Sequence, residues 1–126
     1  MAQRYHVNAI RFGSAGKWAV FPNDFWPPHP QLGDRDLIHE ILAAAHPRGI
    51  KVITYIPTRH IIPDENIMVH HPEWLYRPAP NADPPLHLHH GGGLHWAPCL
   101  NTPYRDAYLG FVEQLLTAHA IDGIYT

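Results

Sequence analysis

The chain has 126 residues, a formal net charge of -2 and one cysteine, Cys99. This length allows about one domain and falls short of the roughly 250 residues that a complete eight-stranded (β/α) barrel needs. The charge excludes the basic surface typical of nucleic-acid binding, no apolar run approaches the ~20 residues of a membrane helix, and a single cysteine excludes an internal disulfide. The first residues, MAQRYHVNAI, lack the apolar segment of a signal peptide, so we expect a cytoplasmic protein.

The first half of the chain predicts two strands with a helix between them. Residues 6–12, HVNAIRF, are typical of a buried strand, and residues 34–46 carry apolar side chains along one helical stripe. We expect Pro47 to end or kink this helix. The run at 50–56 is apolar on both faces and rich in β-branched residues, which indicates a strand covered on both sides, as in a parallel sheet.

The second half contains a long connection, a helix and a third strand. Residues 58–101 are about three times longer than an ordinary connection, and such a loop usually carries function. Thr102, followed by proline, marks the start of a helix at 103–118, and residues 121–126, IDGIYT, are typical of a buried strand. The order strand, helix, strand, helix, strand predicts an α/β fold with a parallel sheet.

Three local features of the loops and helices have specific interpretations. Residues 71–74, HPEW, are expected to form one helical turn, and Gly91–Gly93 a mobile hinge or loop tip. Gly110 weakens its helix and is interpreted as a point of close packing. The aromatic loop at 17–30 either covers one end of the core or offers indole rings on which a sugar can stack.

Five segments carry a resemblance to a known family. They are KWAVFP at 17–22, GDRDLIHEILAAAHPRGIKVITYIP at 33–57, HPEW at 71–74, CLNTPYRD at 99–106 and DGIYT at 122–126. The chain resembles the domain called hypothetical glycosyl hydrolase 6, which is related to the alpha-L-fucosidase-like and beta-galactosidase-like glycoside hydrolases with TIM-barrel folds. The resemblance implies that residues 1–126 are the N-terminal part of a (β/α) barrel, with about three parallel strands, two main helices and a long loop after the second strand. It further implies that the chain is a fragment.

The resemblance also implies a chemistry, which is retaining hydrolysis of a glycosidic bond by two carboxyl groups about 5–5.5 Å apart, without a cofactor. In the fucosidase-like families the nucleophile is an aspartate at the end of the strand that IDGIYT resembles, which would be residue 127 or just beyond. Asp122 lies at the opposite end of that strand. We therefore expect these residues to be inactive alone. The first strand is followed by no histidine pair, unlike the fucosidase pattern, so the sugar is not implied to be fucose.

Candidate site residues are those expected near the carboxyl ends of the strands, where barrel enzymes bind their substrates. The predicted carbohydrate-binding residues are Lys17, Trp18, Tyr55, His60, Trp74, Asn101, Arg105 and Tyr125. For Tyr55 and Tyr125, core packing is the favoured alternative. Glu73 is a conceivable acid/base, although closing a short turn is favoured for it.

A second set of residues, His87, His89, His90 and His95, has the spacing to bind zinc or nickel through imidazole nitrogens. Adventitious metal affinity is favoured, so no metal site is assigned. Two alternatives to the glycosidase fragment remain open at this stage. One is a small α/β module that binds carbohydrate or metal without catalysis, and the other is a homo-oligomer in which partial barrels close the open sheet edge.

Overall fold

The computed structural model describes residues 6–13, 19–58, 67–79, 87–90 and 93–126. In chain order the elements are strand β1 (Ala9–Gly13), helix α1 (Leu37–Ala45), strand β2 (Lys51–Tyr55), helix α2 (Ile67–His70), strands β3 (His87–His90) and β4 (Gly93–Trp96), helix α3 (Tyr104–Ala118) and strand β5 (Gly123–Tyr125). β1, β2 and β5 form a parallel sheet in the order β1-β2-β5. The predicted α/β class, with three parallel strands and two main helices, is confirmed.

The sheet is centred on β2, the strand that the apolar run predicted. All three strands are shorter than the predicted ranges 6–12, 50–56 and 121–126, and β1 is shifted towards Gly13. Its predicted start is wrong because His6 has a positive φ of 53° and does not extend into the sheet. Since the strands are parallel, their carboxyl ends lie along one edge, where Gly13, Tyr55 and Tyr125 are register partners.

Helix α1 is bounded at both ends by the chemistry of single residues. Asp36 is its N-cap, and one oxygen of its carboxylate accepts a hydrogen bond from the His39 amide at 2.8 Å. The helix ends at Ala45, and Pro47 follows in a 3-10 turn. Gly49, with a φ of 67°, closes that turn and lets the chain enter β2.

The hydrophobic core lies between one face of the sheet and the two main helices. Val52 and Thr54 of β2 are buried on this face, whereas the residues that alternate with them are only partly buried or exposed. The aromatic loop supplies much of the rest: Phe25 contacts Trp26, Tyr104, Tyr108 and Phe111. These loop rings are therefore part of the core, as in the covering interpretation, and are not a sugar platform.

The connection after β2 contains a hairpin that the sequence did not indicate. β3 and β4 pair antiparallel, and His90 is the register partner of Gly93. Gly93 therefore belongs to a strand, which corrects its assignment to a hinge. A second pairing ties the connection together, because the amide of Tyr76 donates to the Ala97 carbonyl at 2.7 Å and that of Cys99 to the Trp74 carbonyl at 2.8 Å.

Helix α3 begins one residue later than predicted, at Tyr104. Its N-cap is Pro103, which makes no side-chain cap hydrogen bond, so proline precedes the helix and does not open it as predicted. The Thr102 hydroxyl accepts a hydrogen bond from the Tyr104 amide at 3.3 Å and donates to the Cys99 carbonyl at 2.6 Å, next to the helix start. A Cβ at Gly110 would meet no atom of the other described elements within 4 Å. The interpretation of Gly110 as a point of close packing is therefore wrong. Across the described ranges, no helix has the length and apolarity needed to cross a membrane.

Candidate functional site

The carboxyl edge of the parallel sheet is the candidate site. In α/β sheets and barrels alike, ligands bind where parallel strands end, because the loops that leave this edge converge there. Here the edge is formed by Gly13, Tyr55 and Tyr125. The long connection leaves from this edge after β2. The pairing of β2 with β5 places the predicted site residues Tyr55 and Tyr125 side by side.

An arginine lies over these two tyrosines on the face of the sheet that points away from the helices. The Tyr55 and Tyr125 ring centroids are 5.5 Å apart, with the planes tilted by 37°. The guanidinium carbon of Arg11 lies 5.3 Å from the Tyr55 centroid and 4.9 Å from that of Tyr125. We call Arg11, Tyr55 and Tyr125 the Arg–Tyr cluster. It places one cation over two neighbouring aromatic rings, an arrangement stabilised by the ring quadrupoles.

Gly13 is what allows β1 to lie this close to β2 at the site. A Cβ added at Gly13 would overlap the Tyr55 carbonyl oxygen and lie 2.8 Å from the Tyr55 Cβ. Any larger residue would therefore force the two strands apart at the carboxyl edge. The close approach of β1 to β2 therefore explains why a glycine stands at the end of the first strand.

The Arg–Tyr cluster is accessible rather than part of the core. Tyr125 is 50% exposed, Tyr55 is partly buried, and Arg11 is exposed. Among the described residues the core lies on the opposite face of the sheet and includes neither tyrosine, and their assignment to the site stays a prediction. Sequence reasoning missed Arg11. The available signal was a charged residue inside an otherwise apolar strand, at a position that alternates with the buried ones.

The HPEW segment forms a compact unit held near the same edge. His71 stacks on Trp74 with centroids 3.9 Å apart and planes 5° from parallel. Trp74 is buried and meets Tyr104 edge-on at 6.5 Å, and the Tyr104 hydroxyl donates to the carbonyl of Thr58, just after β2, at 3.3 Å. The expected single turn is confirmed as a 3-10 turn at Pro72–Trp74. Trp74 thereby anchors the connection beside the carboxyl edge.

Glu73 holds the His71 ring rather than standing free. Its Oε1 lies 2.9 Å from Nδ1 of His71. A hydrogen bond with its own backbone amide, and then the bond to His71, lower the pKa of the Glu73 carboxyl below its usual value. A general acid in a glycosidase needs a raised pKa, so the environment of Glu73 favours a role in shaping the turn.

The remaining predicted site residues are either exposed on the surface or outside the residues that the structure describes. Asn101 is exposed at the end of the connection, and Arg105 is exposed on the first turn of α3, where its Nε donates to Asp106 at 2.8 Å. Lys17, Trp18 and His60 lie outside the described residues. The strand β3 contains His87, His89 and His90, whose side chains are likewise outside the description. Within the described ranges, no group of three or more potential ligands is placed to hold a metal ion.

The amino edge of the sheet is held by a different cluster. Asp122, just before β5, lies 2.9 Å from Nε2 of His46, accepts from Nζ of Lys51 at 2.8 Å and accepts from the Val52 amide at 2.9 Å. These bonds, those of Lys51 and Val52 first, hold the pKa of Asp122 far below its usual range. We call this the Asp122 clamp. It fixes the strand ends opposite the candidate site, where barrel residues stabilise the fold rather than react.

Comparison with known proteins agrees with this geometry. The family model described as hypothetical glycosyl hydrolase 6 matches residues 1–126. A search of curated proteins gave no match. Among solved structures, the chain is similar to alpha-L-fucosidase isoenzyme 2 from Paenibacillus thiaminolyticus, with a TM-score of 0.72 and 32% identity, over 98% of this chain and 18% of that one.

The chain therefore spans less than a fifth of the fucosidase it matches, and three parallel strands with two main helices are consistent with one part of a (β/α) barrel. Taken with the match of the family model over its whole length, this identifies the chain as a member of the hypothetical glycosyl hydrolase 6 family.

Proposed function

We propose that residues 1–126 form the N-terminal part of a glycoside hydrolase barrel and contribute substrate-binding groups to it. The observation that carries this proposal is the carboxyl edge of the sheet, where the accessible Arg–Tyr cluster and the anchored connection meet. Sugar rings stack on aromatic faces and bond to planar polar groups, and this edge offers both. The family membership and the fucosidase likeness supply the reaction class.

The reaction proposed for the complete barrel is retaining hydrolysis with two carboxyl groups, one as nucleophile and one as acid/base. Neither is assigned within these residues, because Asp122 is engaged in the clamp at the opposite edge and the pKa of Glu73 is lowered. We propose that both come from the rest of the barrel, so that residues 1–126 alone bind sugar without hydrolysing it.

The test is a comparison of two proteins on a panel of 4-nitrophenyl glycosides. One is residues 1–126, and the other is the whole reading frame that encodes them. Hydrolysis by the second and none by the first is the expected result, and a fluorosugar that traps a covalent glycosyl-enzyme should label the second protein stoichiometrically.

Two results would overturn the proposal. Turnover by residues 1–126 at the rate of the longer protein would mean that the catalytic groups lie within them. Binding of glycosides by the longer protein without cleavage of any would remove the glycosidase function and leave a binding module as the better account.

A further inference from the structure

We infer that Arg11 selects a sugar that carries a carboxylate, so that the substrate class is an acidic glycoside such as a uronide. This inference rests on the proposed function and goes beyond it by naming the substrate class. Three properties of Arg11 carry it: its pairing state, the way its guanidinium is held, and the face of the sheet on which it lies.

Three cations of the described residues each pair with a carboxylate, whereas Arg11, like Arg48, does not. Arg35 pairs with Glu40 at 2.6 Å, Lys51 with Asp122 at 2.8 Å, and Arg105 with Asp106 at 2.8 Å. In the part of the chain that the structure describes, no carboxylate lies within ion-pair distance of Arg11; its neighbours there are the rings of Tyr55 and Tyr125. The positive charge at the carboxyl edge is therefore not neutralised by these residues.

The two rings hold the guanidinium without using its hydrogen-bonding capacity. Cation–π contact involves the charge and the ring faces, so the N–H groups of Arg11 stay available. A guanidinium presents these donors as a planar fork that matches the two oxygens of a carboxylate. Because the rings restrict the side chain in advance, less conformational entropy is lost when an anion binds.

The position of Arg11 directs this fork towards the candidate site. Arg11 lies two residues before the end of β1, and its guanidinium reaches the rings of the last residues of β2 and β5. A sugar carboxylate bonded there would give the guanidinium a counter-charge and a two-point, charge-assisted hydrogen bond, which a neutral hydroxyl cannot supply. The cluster thus favours an acidic sugar over its neutral counterpart.

The experiment is a titration of the 15N-labelled chain, followed through the arginine Nε–Hε resonances. The probes are glucuronate and galacturonate, with glucose and galactose as their neutral counterparts. We expect a saturable shift of the Arg11 resonance with the uronates, a much weaker one with the neutral sugars, and weaker uronate binding at higher salt.

The matched variants are Arg11→Gln, Arg11→Lys and Arg35→Gln, each checked for folding by circular dichroism. Arg11→Gln should weaken uronate binding about tenfold or more, Arg11→Lys should lie between it and the native chain because it keeps the charge without the fork, and Arg35→Gln should change nothing. Should Arg11→Gln fail to fold, the Arg11→Lys result decides.

Equal affinity for uronates and neutral sugars, or native affinity in the Arg11→Gln and Arg11→Lys variants, would overturn the inference. This failure is separate from failure of the proposed function: hydrolysis of neutral glycosides by the longer protein would keep the function and discard the acidic substrate. Uronate binding without any hydrolysis would keep the acidic ligand and discard the glycosidase function.

Discussion

At the scale of single residues, two threonines in the structure form a matched pair. Thr54 is buried on β2, and its hydroxyl has no hydrogen-bond partner among the described residues. It lines a cavity of about 20 Å³ whose other residues are mostly apolar, including Trp26, Ile38 and Leu115. Thr102, by contrast, uses its hydroxyl in two hydrogen bonds at the start of α3. The same substitution at these two positions should therefore have opposite effects.

We expect Thr54→Val to raise the free energy of unfolding by about 1 kcal/mol, because it removes an unpaired buried hydroxyl and keeps the shape of the side chain. Thr102→Val should lower it by about 1 kcal/mol through loss of the helix-start hydrogen bonds. Urea denaturation of both variants measures the difference. If Thr54→Val destabilises as much as Thr102→Val does, the Thr54 hydroxyl has a partner, such as a water in the adjoining cavity.

The Asp122 clamp predicts a specific dependence of stability on pH. Folding lowers the pKa of Asp122, because Lys51, the Val52 amide and His46 stabilise its ionised form. The carboxylate therefore stabilises the folded state fully above the pKa of an unfolded aspartate, about 3.9, and this stabilisation is lost as the pH falls towards the folded pKa. Asp122→Asn should lower the Tm at neutral pH, and the difference from the native chain should shrink below about pH 4.

Glu40→Gln is the control for this experiment. Glu40 also pairs with a cation, Arg35, but both side chains are about half exposed, at 49% and 55%. Exposed pairs contribute little, so this variant should change the Tm little at any pH. Thermal unfolding followed by circular dichroism across the acid range tests both variants. A constant Tm difference for Asp122→Asn from neutral to strongly acidic pH would contradict the clamp.

At the scale of secondary-structure elements, Gly13 and Gly110 predict opposite effects of adding one methyl group. Gly13→Ala should lower the free energy of unfolding by about 1–3 kcal/mol, because its Cβ would collide with the backbone of Tyr55 and separate β1 from β2. Gly110→Ala should raise it by about 1 kcal/mol, since the position is helical and open. Chemical denaturation of both variants is the measurement, and a neutral Gly13→Ala would show that β1 can shift without cost.

The elements were predictable from the sequence wherever their burial is periodic. β2 was located by its β-branched run, which predicted a strand covered on both sides. Only Val52 and Thr54 of this strand are buried, and Ile53 and Tyr55 on the other face are partly buried, so that coverage is seen on one side among the described residues. The hairpin of β3 and β4 was not predictable. Strand pairing is made by backbone groups, so a polar HLHH segment beside glycines can pair without any apolar alternation to reveal it.

The site was predictable only in part, for a related reason. Tyr55 and Tyr125 were located because strand ends can be counted from the sequence, but their exposure depends on which face the helices cover. That choice is made by tertiary packing, which also decides that Arg11 joins them. The role of Glu73 likewise depends on its hydrogen bond to His71 within the HPEW turn. The spacing of these residues in the sequence does not predict that bond.

At the scale of the whole molecule, the sheet has two edges without a described neighbour. β1 and β5 each pair only with β2 among the strands that the structure describes. Helix α3 also exposes Leu109 and Leu116, at 56% and 52%, on one outer stripe. Unpaired edges and exposed apolar stripes both promote association.

Residues 1–126 expressed alone should therefore self-associate, with a mean mass that rises with concentration in light scattering after size exclusion. The double variant Leu109→Lys and Leu116→Lys separates the two causes: association that persists in it comes from the sheet edges, and association that disappears comes from the helix stripe. A monodisperse monomer at every concentration would contradict the prediction and favour a self-contained binding module.

The Asp122 clamp affects which positions of this domain can accept mutations. It joins β5 to β2 and to the end of α1 at the amino edge, across 70 to 76 residues of sequence. Strand register is therefore secured at the edge remote from the carboxyl-edge side chains. On the proposed function, mutations at Arg11 or Tyr125 change sugar recognition while the backbone frame keeps its alignment. Laboratory evolution of a new sugar preference should accordingly accept substitutions at those two positions far more readily than at Asp122.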